Sequence, residues 1–119
     1  MTAGQRNAWE SYWNLYGIKD KENLDNITNL FDNNNKELIL EIGFGDGKIL
    51  IDNALRYPNY NFIGIEVYES GIGNCLLHLY ENNLKNVKLI YDDAKKILIK
   101  KFRKQSINQV NIFFPDPWP

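Results

Sequence analysis

The 119-residue chain predicts an α/β fold, a parallel sheet with flanking helices, and three observations carry that expectation. From Glu37 onward, short apolar runs alternate with helical patterns, the sequence form of successive βαβ units. Those runs are nearly continuous in apolar residues, as strands buried on both faces require. The first of them, Leu38-Ile-Leu-Glu-Ile42, passes directly into Gly43-Phe-Gly-Asp-Gly47, three glycines spaced two apart. A strand that ends in bare backbone is the way an α/β domain meets a nucleotide-like ligand.

The elements follow in order. Thr2, with Gln5 three residues on, has the spacing of a capping box, in which each side chain answers an orphan backbone N–H. Trp9, Tyr12, Trp13 and Tyr16 recur at helical spacing, and Gly17 sits where a helix commonly stops. Such an aromatic stripe reads as buried packing rather than a ligand cage. Leu24, Ile27, Leu30 and Phe31 predict a second short helix, and Asp32-Asn-Asn-Asn35 a polar loop. Residues 1–36 therefore form an N-terminal helical segment ahead of the βαβ units of residues 37–119, all in one domain.

Strand one is expected at 37–43, and the glycine turn feeds a helix at 47–57 that Tyr57-Pro58-Asn59 breaks. Strand two follows at 60–66 and a longer helix at 69–84, with Ile72, Leu76, Leu79 and Tyr80 on one side. Strand three is expected at 87–91, then a lysine-edged helix at 94–104 turning Ile97, Leu98 and Phe102 inward, then strand four at 107–114. The result is about four parallel strands.

Composition narrows the class. At 44% hydrophobic and 24% charged residues the chain is ordinary for a soluble globular domain. No apolar run approaches the roughly 18 to 20 residues of a membrane span, and no secretory signal pattern opens the sequence. A lone cysteine, Cys75, and a lone histidine, His78, leave neither an internal disulfide nor a zinc cluster. The expectation is a cytoplasmic, metal-free domain. Residues 1–84 carry six basic and twelve acidic side chains, whereas residues 85–119 carry eight basic and three acidic. That lysine-rich tract can meet phosphate; the plainer reading is a solvated helix face.

In such a sheet the ligand lies beyond the carboxyl ends of the strands. There the sequence places Glu41 and the glycines on strand one, Glu66 at the end of strand two, Asp92 and Asp93 after strand three, and Asp116 after strand four. Gly43, Gly45 and Gly47 allow close backbone approach. Glu66, nineteen residues past Gly47, is placed to accept from vicinal ribose hydroxyls, and Asp93 from an exocyclic adenine amine. Any one of these alone reads as a tight turn or a solvated carboxylate; in series they point to adenosine. The spacing G-x-G-x-G differs from the G-x-G-x-x-G of dinucleotide enzymes, so pyrophosphate loses support and S-adenosylmethionine gains it. A nicotinamide-dependent oxidoreductase is the weaker alternative.

Leu40-Glu-Ile-Gly-Phe-Gly-Asp-Gly47, Phe62-Ile-Gly-Ile-Glu-Val67 and Phe113-Phe-Pro-Asp-Pro-Trp118 together resemble the bacterial tRNA (guanine-N(7)-)-methyltransferase family. Leu84-Lys-Asn-Val87, Asp93-Ala94 and the opening Thr2-Ala-Gly-Gln5 fit the same pattern, so the resemblance covers essentially the whole chain. It implies an incomplete class I, Rossmann-like, S-adenosylmethionine-dependent methyltransferase fold, and methyl transfer to N7 of a variable-loop guanine in tRNA. By the same resemblance Glu41, Glu66 and Asp93 bind the cofactor and Asp116 is catalytic; a carboxylate there can hold the guanine by its N–H edge. Pro115 and Pro117 would stiffen that loop, and Trp118 either stacks on a base or packs.

The family's pattern continues past Pro-Asp-Pro-Trp with a Lys/Arg/His-rich segment, further strands and a late Thr-Asp-containing motif. The resemblance therefore implies a fragment, the cofactor half of the enzyme, with transfer weakened or lost. A non-enzymatic remnant that binds a nucleoside or a partner chain is the alternative, and the oligomeric state is left open.

Overall fold

The computed structural model describes residues 1–18 and 30–93, together with the backbone of a strand at 109–112. Helix α1 spans Ala3–Tyr16. It begins with the expected capping box: the Gln5 amide donates to Thr2 Oγ1 at 3.1 Å, and the Thr2 amide donates to Gln5 Oε1 at 2.8 Å. It stops at Gly17, but with an extended backbone, φ −82°, so left-handed freedom is not what the glycine provides. A Cβ at Gly17 would run into the indole of Trp13, and close packing explains the residue.

Four parallel strands are described: β1 (Glu37–Ile42), β2 (Tyr60–Glu66), β3 (Val87–Tyr91) and β4 (Gln109–Ile112), in the order β3-β2-β1-β4. Glu37 pairs with Tyr60 and Ile42 with Ile65; Phe62 pairs with Val87 and Glu66 with Tyr91; Ile39 pairs with Gln109 and Ile42 with Ile112. Helices α2 (Lys48–Arg56) and α3 (Glu69–Glu81) supply the crossovers between β1, β2 and β3. The outer edge of β3 is met by the segment after α1, where the Ile18 amide donates to the Leu89 carbonyl at 2.8 Å.

Side chains alternate along the strands and divide the core in two. On one face Ile39, Phe62, Val87 and Leu89 pack beneath all three described helices, against Ala8, Tyr16, Leu50, Ala54, Ile72, Leu76 and Leu79. Trp9, Tyr12 and Trp13 join that cluster, so the aromatic stripe is packing. On the other face Leu38, Leu40, Ile63, Ile65 and Ile90 meet Ile18, Leu30 and Phe31.

The expected elements are largely present, with three differences. Helix α3 ends at Glu81 rather than 84, because Asn83 turns into the left-handed region (φ 50°) and the amides of Asn83 and Leu84 fold back onto the carbonyls of Tyr80 and Leu79. Tyr80 is 51% exposed rather than inward, and it stacks on Tyr12 at 4.1 Å. Strand β1 stops at Ile42, one residue early, because Gly43 already has φ 71°. The short helix expected at 24–31 falls mostly outside the described residues, and the helix at 94–104 wholly so.

The amino ends of the strands are closed by asparagines. Asn61, only 2% exposed, exchanges amide hydrogen bonds with Asn33 at 2.8 and 3.2 Å and accepts a third from Asn35 at 3.2 Å. Asn86 donates to the carbonyls of Ala54 and Tyr60 at 3.1 and 3.0 Å, tying the end of α2 to the start of β2.

Candidate functional site

The carboxyl ends of the strands are built differently. Between β1 and α2 the backbone makes a turn in which Gly43, Gly45 and Gly47 all have positive φ (71°, 64° and 87°). Residues with a Cβ occupy that region at a cost, so the turn depends on glycine. Two of the three differ in their surroundings. A Cβ at Gly47 would strike the Cys75 sulfur of α3, whereas a Cβ at Gly45 would meet nothing within 4 Å. Gly47 is therefore held for packing, and Gly45 borders open space. Helix α3 is pressed against the same turn, because a Cβ at Gly71 would collide with the Gly45 carbonyl.

Glu66, the last residue of β2, reaches into this turn. Its Oε1 accepts from the Gly45 amide at 2.6 Å, and its Oε2 accepts from the Val67 amide at 2.9 Å and the Tyr68 amide at 3.3 Å. The carboxylate is thus fixed by backbone N–H groups from both sides. A carboxylate has about four lone-pair directions, so three such bonds leave it able to accept from a ligand hydroxyl. Val67 and Tyr68 stand beside it, 59% and 65% exposed.

Glycine turn, Glu66 and the start of α3 enclose a cleft of about 850 Å³, within the usual range of small-molecule sites. Gln5, Phe44, Asp46, Glu66, Tyr68 and Asn74 are among the residues that line it. Of the described carboxylates read from the sequence, Glu66 alone is among the cleft's lining residues. Glu41 is completely buried on the helix-facing side of β1, where its Oε1 accepts from Asn53 Nδ2 of α2 at 3.1 Å. Asp93 is exposed just past β3, its amide donating to Asp92 Oδ1 at 2.6 Å, and it does not line the cleft. The Asp92 amide does bond the Glu66 carbonyl at 3.2 Å, which sets the end of β3 beside that of β2. Asp116 lies outside the described residues.

Sequence reading missed Gln5, Asp46, Ser70 and Asn74 as lining residues. Only Asp46 had a signal, its place within the glycine run. Cys75 was also missed as a packing partner of the turn. Burial, followed by the nearby charges of Asp46 and Glu41, raises its thiol well above the ordinary range, which makes it a neutral filler rather than a nucleophile.

Helix α1 contributes Gln5 to the lining and is tied to the start of α3. Trp9 Nε1 donates to the Glu69 carbonyl at 3.0 Å, and the Trp9 ring meets Tyr91 edge-on at 5.3 Å. Tyr91 in turn donates its hydroxyl to Glu69 Oε1 at 3.1 Å, a bond that raises the phenol above its ordinary range. Among the described residues, no group of three or more His, Cys, Asp or Glu could hold a metal ion, and no helix is long and apolar enough to cross a membrane.

A parallel sheet with a glycine turn and an acidic residue at adjacent carboxyl ends defines a class of nucleoside-cofactor α/β proteins, and the comparisons place this chain within it. A methyltransferase family model, Methyltransf_4, matches residues 35–119, and the chain belongs to that family. The chain is similar to the tRNA (guanine-N(7)-)-methyltransferase of Nitrosococcus oceani, 44% identical over 119 residues, covering 100% of this chain and 50% of the relative. It is similar also to the protein of that name from Buchnera aphidicola subsp. Schizaphis graminum, 43% identical over 118 residues, covering 99% of this chain and 49% of the relative. The chain thus spans about half the length of the curated relatives it matches.

Solved structures agree on the fold, a Rossmann-like methyltransferase fold. An antibiotic-related methyltransferase superposes with a TM-score of 0.61 at 17% identity, over 86% of this chain and 51% of that one. Phosphoethanolamine N-methyltransferase 2 of Haemonchus contortus, solved in complex with S-adenosyl-L-methionine, superposes with a TM-score of 0.53 at 17% identity, over 72% of this chain and 19% of that one.

Proposed function

We propose that the cleft binds S-adenosylmethionine and that the protein serves methyl transfer to N7 of guanine in tRNA, in the cytoplasm. The observation that carries the reading is the junction of Glu66 with Gly45, in a chain whose named relatives match it from end to end. The residues fit the cofactor. Gly45 leaves open the space a Cβ would fill, and Glu66 offers a carboxylate already aimed by three amides at vicinal hydroxyls. When bound, the cofactor supplies an electrophilic methyl on a sulfonium.

Guanine N7 carries a free lone pair, so no base has to remove a proton before attack. The protein's work is alignment, which raises effective concentration, and stabilisation of positive charge on the ring. In this reading Glu66 holds the ribose, Gly43 and Gly45 admit the cofactor's backbone-facing edge while Gly47 lets the turn close on Cys75, and Asp93 takes the adenine amine. Glu41 acts from beneath, tying β1 to the middle of α2 through Asn53. Asp116 receives the N–H edge of the guanine.

The test separates binding from transfer. S-adenosylhomocysteine should bind the chain and its Asp116→Ala variant equally in a calorimetric titration. Transfer is measured as 7-methylguanosine in digested tRNA, by the chain alone and with the C-terminal half of the Nitrosococcus oceani relative supplied. Product should form with the wild-type residue and vanish with Asp116→Ala. Methylation at another atom, or loss of cofactor binding with Asp116→Ala, contradicts the assignment.

A further inference from the structure

The proposed cofactor has two polar ends, and Glu66 accounts for one. Its amino-acid end carries a carboxylate, which needs hydrogen-bond donors. Among the described residues lining the cleft, the charged side chains are Asp46 and Glu66, both acidic, with no lysine or arginine. The donors available are neutral. Asn74 Nδ2 already leans on the Asp46 carbonyl, at 3.4 Å.

Gln5 is differently placed. It comes from α1, which passes close over α3 at this residue: a Cβ at Gly73 would lie 2.7 Å from the Gln5 carbonyl oxygen. One turn later Trp9 is pinned to the Glu69 carbonyl, so the helix is fixed at both points. The capping box uses the side-chain oxygen of Gln5, which accepts from the Thr2 amide at 2.8 Å. That bond sets which half of the amide remains for the cleft: the NH2 group, a pure donor.

We propose that Gln5 is a specificity residue of this cleft, its amide NH2 donating to the carboxylate at the amino-acid end of the cofactor. Helix α1 then reads the tail while Glu66 reads the ribose. The capping box preorganises the donor, so little rotamer freedom is lost on binding. This inference rests on the cofactor reading above.

Gln5→Glu is the decisive variant. Glutamate at this position preserves the capping box, whose commonest form ends in Glu, yet replaces the donor by a negative charge. Binding is measured by calorimetry with two probes, S-adenosylhomocysteine and 5′-methylthioadenosine, which lacks the amino-acid tail. Gln5→Glu should weaken the first about tenfold or more and leave the second within about twofold, at unchanged melting temperature. Gln5→Met, similar in length without a donor, should weaken the first about fivefold. Unchanged affinity for S-adenosylhomocysteine, or equal weakening for both probes, overturns the proposal. A wild-type chain that binds both probes equally well overturns it alone; one that binds neither removes the cofactor reading as well.

Discussion

The two ends of the parallel sheet are both polar, yet they handle their hydrogen bonds in opposite ways. At the amino end, Asn33, Asn35, Asn61 and Asn86 spend their amides on one another and on the carbonyls of Ala54, Pro58 and Tyr60. At the carboxyl end a single carboxylate, Glu66, gathers three amides and still borders a cleft of about 850 Å³. The hollow at the amino end is about 290 Å³, and the Asn33, Asn35 and Asn86 side chains around it are already engaged. A buried polar group contributes most when every partner is present, and a binding site needs a group with something left to give. One end specifies the fold; the other is built for a ligand.

Substitutions that separate stability from binding sharpen the contrast. The largest effect is expected at Gly47. Its φ of 87° and the contact a Cβ would make with the Cys75 sulfur both oppose a side chain. Gly47→Ala should cost about 3 kcal/mol of folding stability in urea titration. Gly45→Ala has a strained φ of 64° but open space, so about 1 kcal/mol of stability should go while cofactor affinity falls by more. At the other end, Asn61→Ala removes an acceptor shared by Asn33 and Asn35 and the donor to Asn33 Oδ1; it should cost about 1 to 3 kcal/mol with ligand affinity unchanged. Loss of binding with Asn61→Ala would break the division between the two ends.

The last effect is absent at neutral pH and appears only in alkali. Burial raises the Cys75 thiol above its ordinary 9.0, so the folded state keeps a proton that the unfolded state releases. Stability is therefore complete below about pH 9 and declines above it, by up to about 1.4 kcal/mol per pH unit. Tyr16, raised chiefly by burial from 10.0, adds to the decline at higher pH. Melting temperatures from pH 7 to 10.5 should show that fall, and Cys75→Ala should make it shallower. A profile indifferent to Cys75 would place the thiol in contact with solvent.

Much of this was legible beforehand, for physical reasons. Strands β2 and β3 sit where expected, 60–66 and 87–91, because they are apolar runs bounded by a proline turn and by a helix stop. The capping box was readable because it is local, two side chains three residues apart. What was hidden is long-range. A glutamate near a glycine run looks alike whether it faces a ligand or a helix; Glu41 and Glu66 share one face of the sheet, and their places along the strands decide, Glu41 stopping short beneath α2 and Glu66, at the very end of β2, reaching the glycine turn. Gln5 was explained by its cap, so nothing in the string revealed that α1 also walls the cleft. Gly47 meets Cys75, and Gly71 meets Gly45, through tertiary contacts that no spacing rule encodes.

The central claim is that the carboxyl end of this sheet accepts an adenosyl amino acid rather than a dinucleotide. Parallel calorimetric titrations of the 119-residue chain with S-adenosylhomocysteine and with NADH test it most directly. The account predicts one-to-one binding of S-adenosylhomocysteine, weakened about thirtyfold by Glu66→Gln, and no heat with NADH. Binding of NADH at comparable affinity, or S-adenosylhomocysteine binding indifferent to Glu66, would contradict it.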